Sequence, residues 1–301
     1  MKPNNTTAAV TAAFVCGTFL VAWTPVQASR WQPDVEAVLG TNSNVGQAEK
    51  HRDIINDRFA VLTAGGTFHH DLDPQRSIGL RGFVETEQFQ EVRGLSRLSA
   101  GGKFIFSGRM GAGPIVPSYQ FNTMVRVDQY DHKQRDSTVV TAQLFASQPF
   151  GPRLTATTGV EYRHRDSSGT VFDLTDQRWF LSGHYSFPPG WTVYSTYNFI
   201  YGDVWSTAQV RFCNGAQAPD IFGLISASDA REPDDAFNSA FCGHWLAYRL
   251  KAHTNTLKLG VNKDLGHGMA VDVSFLAVWV KASGDNNYDT RIFRASLLKR
   301  F

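Results

Sequence analysis

Charged and polar side chains recur at every second position along much of this 301-residue chain. In the segment RLTATTGVEYRHR, Glu161 and Arg163 alternate with Val160 and Tyr162. Successive side chains of an extended chain point to opposite faces, so such a segment has one polar and one apolar face. Guanidinium groups bind carboxylates and phosphates, and this pattern therefore indicates anion binding.

Basic residues outnumber acidic ones on these polar faces. The basic residues predicted to contact a solute are Arg81, Arg97, Lys103, Arg126, Arg163, Arg178 and Arg294, with His184. The acidic residues are Glu85, Asp128, Glu161 and Asp272. The same faces also hold Arg153, Lys258, Arg300 and Glu36. Rings of basic residues in a lumen favour anions.

Nucleophilic and metal-assisted chemistry are weaker interpretations. Ser182 and His184 share one face, but a serine nucleophile also needs a third group that orients the base, and no G-x-S-x-G elbow is present. The HHD run at 69–71 precedes a short turn and is interpreted as a solvated polar cluster. We therefore predict no catalytic residue, no metal site, no cofactor and no enzyme activity.

The N-terminus has the order of a secretory signal peptide. Lys2 precedes an apolar stretch, and small residues lead up to Ala28. We predict cleavage near Ala28, which removes residues 1–28 and leaves one domain over 29–301. Cys213 and Cys242 remain after cleavage, and an even pair in an oxidising compartment predicts a disulfide that closes the long loop at about 213–243.

Period-two alternation predicts an all-β chain of about twelve strands. The predicted strands cover 31–41, 55–69, 76–86, 91–109, 115–128, 137–148, 153–164, 178–187, 191–212, 244–263, 268–281 and 289–301. Within 244–263 the apolar parity changes between Leu250 and Leu257. That change predicts either a β-bulge or a strand that continues above the membrane.

Short and long connections alternate along the chain. Tight turns such as GAGP at 111–114 and PFGP at 149–152 alternate with longer polar segments such as 129–136, 165–177 and 213–243. This alternation and the even strand count are typical of a single transmembrane, antiparallel up-and-down β-barrel. Its polar faces would line the lumen, and its apolar faces would contact lipid.

A secreted β-sandwich is the soluble alternative. Its inner faces would have to be apolar, yet one face of strand after strand is rich in Arg, Glu, Thr, Ser and Asn, which a soluble core does not accommodate. The formal net charge of +2 gives no indication of nucleic-acid binding. The pattern therefore favours the barrel.

The last ten residues, IFRASLLKRF, form an amphipathic strand that ends on Phe301. This terminal strand resembles the C-terminal signature of Gram-negative outer-membrane β-barrel proteins. The resemblance implies location in the outer membrane, contact with its lipid, and recognition of Phe301 by the barrel-assembly machinery. We expect this strand to close the barrel against the first one.

Two functions remain open at this point. The first is a narrow passive channel for small, anionic solutes through the arginine-rich lumen. The second is a sealed barrel that acts as a structural, adhesive or assembly protein, with a protein partner at the loop 213–243. An outer-membrane enzyme is a more distant third. In small barrels, interior charges also form ion-pair networks that fill the lumen.

Overall fold

The computed structural model describes residues 30–219 and 221–301, so the predicted signal peptide lies outside the described residues. The strands are β1 Arg30–Asn42, β2 Asp57–Asp73, β3 Arg76–Phe89, β4 Arg97–Arg109, β5 Ser118–Tyr130, β6 Ser137–Pro149, β7 Leu154–Ser167, β8 Leu174–Phe187, β9 Trp191–Arg211, β10 Ala230–Pro233, β11 His244–Gly266, β12 Met269–Ala282 and β13 Asn287–Arg300. Two short helices are α1 Ile221–Ser226 and α2 Asp235–Ala240.

Twelve of these strands close into one antiparallel barrel. Each strand pairs with the next along the chain, β9 pairs with β11, and β13 pairs with β1. At the closing seam Asp34 lies opposite Arg300, and the Phe301 amide donates to the Pro33 carbonyl at 3.0 Å. The predictions of an all-β up-and-down barrel and of closure by the last strand are confirmed.

The outer surface of the barrel is apolar. Leu62, Leu80 and Leu181 are each more than half exposed, at 51%, 54% and 58%. A soluble protein rarely exposes so large an apolar belt, whereas lipid requires it. Closure also leaves no unpaired strand edge within the membrane. Among the described residues, no helix has the length and apolar character to span a bilayer.

Several strands are longer or shorter than the sequence predicts. β7 and β8 reach Ser167 and Leu174, well into the segment 165–177 that was predicted to be a loop. Backbone pairing continues there although apolar alternation has stopped, because the strand ends project beyond the hydrocarbon. Conversely, the predicted strand 91–109 begins only at Arg97, since a single 3-10 turn occupies Arg93–Leu95.

The hairpin of β9 and β11 projects furthest on the outer side. Its register is uninterrupted from Trp245 to Lys263, so no bulge lies between Leu250 and Leu257. The parity changes because both faces of the projecting part are covered: Tyr248 and Leu250 are buried on one face, and Trp245 and Ala247 on the other. The interpretation as a strand that continues above the membrane is the correct one.

The apolar core of the molecule lies in this outer region. We call the outer ends of β9 and β11, together with residues 213–243, the cap. Phe237 of α2 is fully buried against Val92, Leu95 and Trp245. The barrel below instead encloses polar side chains, as a lumen does.

Candidate functional site

The predicted solute-contacting residues lie on the inward faces of the strands. Several of their contacts skip an intervening strand, which is possible only across the concave side of the wall. Arg81 on β3 forms an ion pair with Asp34 on β1, and the Tyr194 hydroxyl on β9 donates to Asp272 on β12 at 2.9 Å. The alternation that makes each strand amphipathic therefore also brings these groups together.

Arg97 is the centre of an ion-pair network near the outer end of the lumen. Its guanidinium contacts Glu85 at 2.8 Å, Glu87 at 2.7 Å and Asp128 at 3.2 Å. The Asp128 carboxylate is fully buried and also lies 2.8 Å from Arg126. Charges this close stabilise one another where water is scarce, so the network holds the wall of β3, β4 and β5 in one arrangement.

Two further pairs continue this network towards β8. Arg178 lies 2.6 Å from Glu161, and Arg163 lies 2.6 Å from Asp176. The Arg163 side chain remains 48% exposed although it points inward. The lumen wall is therefore wetted at this position.

Lys103, Lys258 and Arg294 are inward cations that have no carboxylate within 4.0 Å in the described ranges 30–219 and 221–301, and the same holds for Arg300 at the inner end of β13. Lys258 lies over the ring of Tyr194 at 5.2 Å, and Arg294 lies over the ring of Phe59 at 5.5 Å. An aromatic face attracts a cation without neutralising its charge. Lys258 and Arg294 are therefore each in contact with a ring and not with an anion.

The structure adds inward charges that the sequence interpretation missed. Asp34 shares the parity of Glu36 and could have been assigned from the alternation. Glu87, Arg165 and Asp176 lie just beyond the predicted strand ends, in segments interpreted as loops. Most of the additions are acidic, so the positive excess in the lumen is smaller than the sequence indicated. Arg153, which was placed on a polar face, lies in the turn before β7.

Inward aromatic rings fold flat against glycines on the neighbouring strands. A Cβ atom at Gly159 would lie 2.8 Å from Cε1 of Phe180, and one at Gly260 would overlap the ring of Tyr194. Glycine leaves the space that a flat ring occupies. The rings consequently line the wall and do not project across the lumen.

The cap contacts each of the other outer loops. It reaches the loop after β1, where the Thr207 amide donates to the Gly46 carbonyl at 2.9 Å. It also reaches the loop after β7, where Arg249 donates to the Thr170 carbonyl at 2.9 Å. On the loop after β12, Ser283 donates to the Ala227 carbonyl at 3.4 Å. Because these loops surround the mouth, the cap lies across it.

A buried ion pair joins the cap to the loop after β5. Nη2 of Arg135 lies 2.8 Å from Oδ2 of Asp234, and the Thr207 hydroxyl donates to the same oxygen at 2.8 Å. The guanidinium lies between the rings of Phe172 and Trp205, at 4.0 Å and 4.3 Å. Phe172 belongs to the loop after β7, so this pair connects three elements of the mouth.

Two acidic side chains near the cap are poorly compensated. Asp53 is 1% exposed, and neither carboxylate oxygen has a hydrogen-bond partner within 3.5 Å among the described residues, although Nε of Arg52 lies 3.6 Å from Oδ1. Burial raises the pKa of Asp53, against the smaller opposing effects of the Gln209 amide and Arg52. Burial likewise raises the pKa of Glu232 on β10. The ionised form of each carboxylate is therefore less stable in the protein than it would be in water.

The disulfide predicted between Cys213 and Cys242 is present. It lies at the tip of the β9–β11 hairpin and closes the loop that forms α1, β10 and α2. Within this closed loop Phe222 is 78% exposed, in contrast to the buried Phe237. One part of the loop is thus packed against the mouth and another part faces outward.

The weaker chemical interpretations find little geometric support. The Ser182 hydroxyl lies 2.9 Å from the Thr196 hydroxyl and donates to the Ser195 carbonyl at 3.2 Å, so it is engaged with β9 and not with His184. Within the part of the chain that the structure describes, no group of three or more His, Cys, Asp or Glu side chains is placed to hold a metal ion.

The barrel fold occurs in known outer-membrane proteins. An outer membrane channel from Pseudomonas putida F1, 10% identical in sequence, superposes with a TM-score of 0.56 over 92% of this chain and 97% of that protein. A more distant likeness is the KdgM porin, 8% identical, with a TM-score of 0.40 over 89% of this chain and 99% of that protein. The NanC porin, 9% identical, gives 0.42 over 87% and 98%.

No family model matches the sequence, and a sequence comparison with curated proteins finds no match. The likeness in structure establishes the fold, which is that of Gram-negative outer-membrane β-barrels, as the resemblance of the terminal strand implied.

Proposed function

We propose that this protein is a passive channel of the Gram-negative outer membrane for small solutes, with a preference for anions. The observation that carries the proposal is the wetted, polar lumen, in which Lys103, Lys258 and Arg294 have no carboxylate within 4.0 Å among the described residues. Cations on a lumen wall attract anions and repel cations.

The paired arginines have a different role in this proposal. Arg81, Arg97, Arg126, Arg163 and Arg178 each contact a carboxylate, so they hold the wall in shape and contribute little net charge. The anion preference therefore depends on the inward cations without carboxylate partners, such as Lys103, Lys258 and Arg294, and is modest in size.

The cap makes the channel narrow. A permeating solute passes between the cap and the lumen wall, since the cap lies across the outer mouth.

Residue Phe301 keeps its proposed role as the signal for the barrel-assembly machinery, because it ends the closing strand and is 70% exposed.

Conductance in planar bilayers tests this function. We expect a small current whose reversal potential in a salt gradient has the sign of anion selectivity. The triple variant Lys103→Gln, Lys258→Gln, Arg294→Gln should shift that potential towards cations. The matched control replaces three outward lysines, Lys263→Gln, Lys281→Gln and Lys299→Gln, and should leave it unchanged.

The buried core of the cap favours a second candidate, a sealed barrel whose cap presents the exposed Phe222 to a protein partner. The two candidates differ in one measurement. If neither the wild-type protein nor a folded variant with a disrupted cap conducts, the channel is wrong and the sealed barrel is favoured. If the wild-type protein does not conduct but the variant with a disrupted cap does, the lumen is a pathway that the cap controls.

A further inference from the structure

A cavity of about 690 Å³ opens on the outside of the barrel, close to its outer rim, where β13, β1 and β2 meet. Arg58 and Arg291 line it, and both are exposed. Phe275 and Phe293, which face outward on β12 and β13, line its apolar side. The cavity thus combines two cations with an apolar surface, on the wall that contacts lipid.

Asp57, Glu91 and Asp289 lie near these two arginines, but none of them holds either guanidinium in a close ion pair. Oδ2 of Asp289 lies 3.9 Å from Nε of Arg291, and both side chains are more than half exposed. Glu91 lines the cavity on the loop side. Asp57 instead accepts hydrogen bonds from the backbone amides after β3, for example from Val92 at 2.8 Å. Arg58 has no carboxylate within 4.0 Å in the described part of the chain.

On the strand ends of the outer rim, outward-facing Lys and Arg residues lie on one side of the barrel. Lys251 and Lys281 are exposed on the neighbouring strands β11 and β12, and Lys251 is paired with Asp203 at 2.6 Å. On the opposite side, the outward positions at the outer ends of β3 to β8 carry no Lys or Arg. They include Gln88, Leu98, Gln129, Thr138, His164, Asp166 and Gln177.

We propose that the cavity between Arg58 and Arg291 binds the phosphorylated headgroup of a lipid in the outer leaflet. The two guanidinium groups contact a phosphate, and an acyl chain lies along Phe275 and Phe293. Arginine is suited to phosphate because its planar group donates two parallel hydrogen bonds. Basic clusters at a membrane surface are attracted to anionic headgroups, and the apolar side of the cavity selects a lipid over a free ion.

Native mass spectrometry of the refolded full barrel in non-ionic detergent tests this site. The probes are lipid A with its phosphates, the same lipid after dephosphorylation, and inorganic phosphate as competitor. The variant is Arg58→Gln, Arg291→Gln. The matched control is Lys263→Gln, Lys299→Gln, which removes two outward cations at the inner rim of the barrel, away from the cavity. Retention of heat-modifiable migration on gels verifies that each variant is folded.

We expect phosphorylated lipid A to bind the wild-type and control proteins alike, and to bind the arginine variant about tenfold more weakly or worse. The dephosphorylated lipid should bind all three proteins equally weakly. Equal binding of phosphorylated lipid to variant and control would overturn the proposal. Full displacement by millimolar inorganic phosphate would also overturn it, because the cavity would then be a site for free anions. This inference does not depend on whether the lumen conducts.

Discussion

Arg135 and Asp234 meet at 2.8 Å in the buried centre of the outer mouth, although 99 residues separate them along the chain. The pair is 4% and 0% exposed, and it joins the loop after β5 to the cap. The second oxygen of Asp234, Oδ1, has no hydrogen-bond partner among the described residues. The cap is therefore held by a buried ion pair that is strong only while both partners are present.

Removal of either partner should loosen the cap. We expect Asp234→Asn or Arg135→Gln to destabilise the closed arrangement by about 3–5 kcal/mol, because a buried charge loses its partner. Conductance and protease cleavage within 213–243 should both increase. Lys50→Gln, which removes a partly exposed ion pair in the loop after β1, is the control. Equal conductance and cleavage in all these proteins would mean that the pair does not hold the cap.

Removal of the disulfide should affect the cap and leave the barrel folded. Cys213→Ser together with Cys242→Ser opens a loop with a sequence separation of 29, which costs the cap about 3–4 kcal/mol in the chain-entropy description. We expect faster amide hydrogen exchange in 213–243 and unchanged exchange in β2 to β7. Uniformly faster exchange throughout the barrel would contradict a local role.

The ion selectivity of the lumen should depend on whether each arginine–carboxylate ion pair is complete, and not on the number of arginines alone. Arg81→Gln leaves Asp34 without its ion-pair partner, so the reversal potential should shift towards cation selectivity. Adding Asp34→Asn removes that carboxylate charge and should restore the original potential. If the single and double variants give the same potential, the Arg81–Asp34 pair does not lie along the conducting path.

Gly260 should tolerate no side chain. Gly260→Ala displaces the Tyr194 ring from the wall, which we expect to destabilise the protein by about 1–3 kcal/mol and to lower conductance as the ring enters the lumen. Gly82→Ala is the control, since a Cβ atom there meets nothing within 4 Å. Denaturant unfolding and bilayer recordings measure the two effects. Equal behaviour of both variants would show that the ring is not held by Gly260.

The stability of the mouth should decrease as the pH rises. Burial raises the pKa of Asp53 above its ordinary value of 3.8, so the folded state binds this proton more tightly than the unfolded chain. The stabilisation is complete below pH 3.8 and is lost as the pH rises through the raised value. Asp53→Asn should therefore slow hydrogen exchange in the cap at neutral pH and reduce its pH dependence. Faster exchange in this variant would contradict the assignment.

The amino-acid sequence determined the barrel because its signals are local. Alternation along each strand sets which face meets lipid, as Leu181 and Arg178 show on β8. Tight turns and an amphipathic last strand set the strand count and the closure. The pairing of Cys213 with Cys242 also followed from the sequence, since only two cysteines lie outside the predicted signal peptide.

Only the tertiary structure decided which lumen charges are neutralised and what the long loop does. The partner of Arg81 lies two strands away, and the partner of Arg135 lies in the cap, at separations that no local pattern encodes. Inward charges near the strand ends, such as Asp176, were missed because backbone pairing continues beyond the apolar alternation. The cap folds over the mouth because its apolar side chains are buried only when loops distant in sequence converge, and that convergence is a property of the closed barrel.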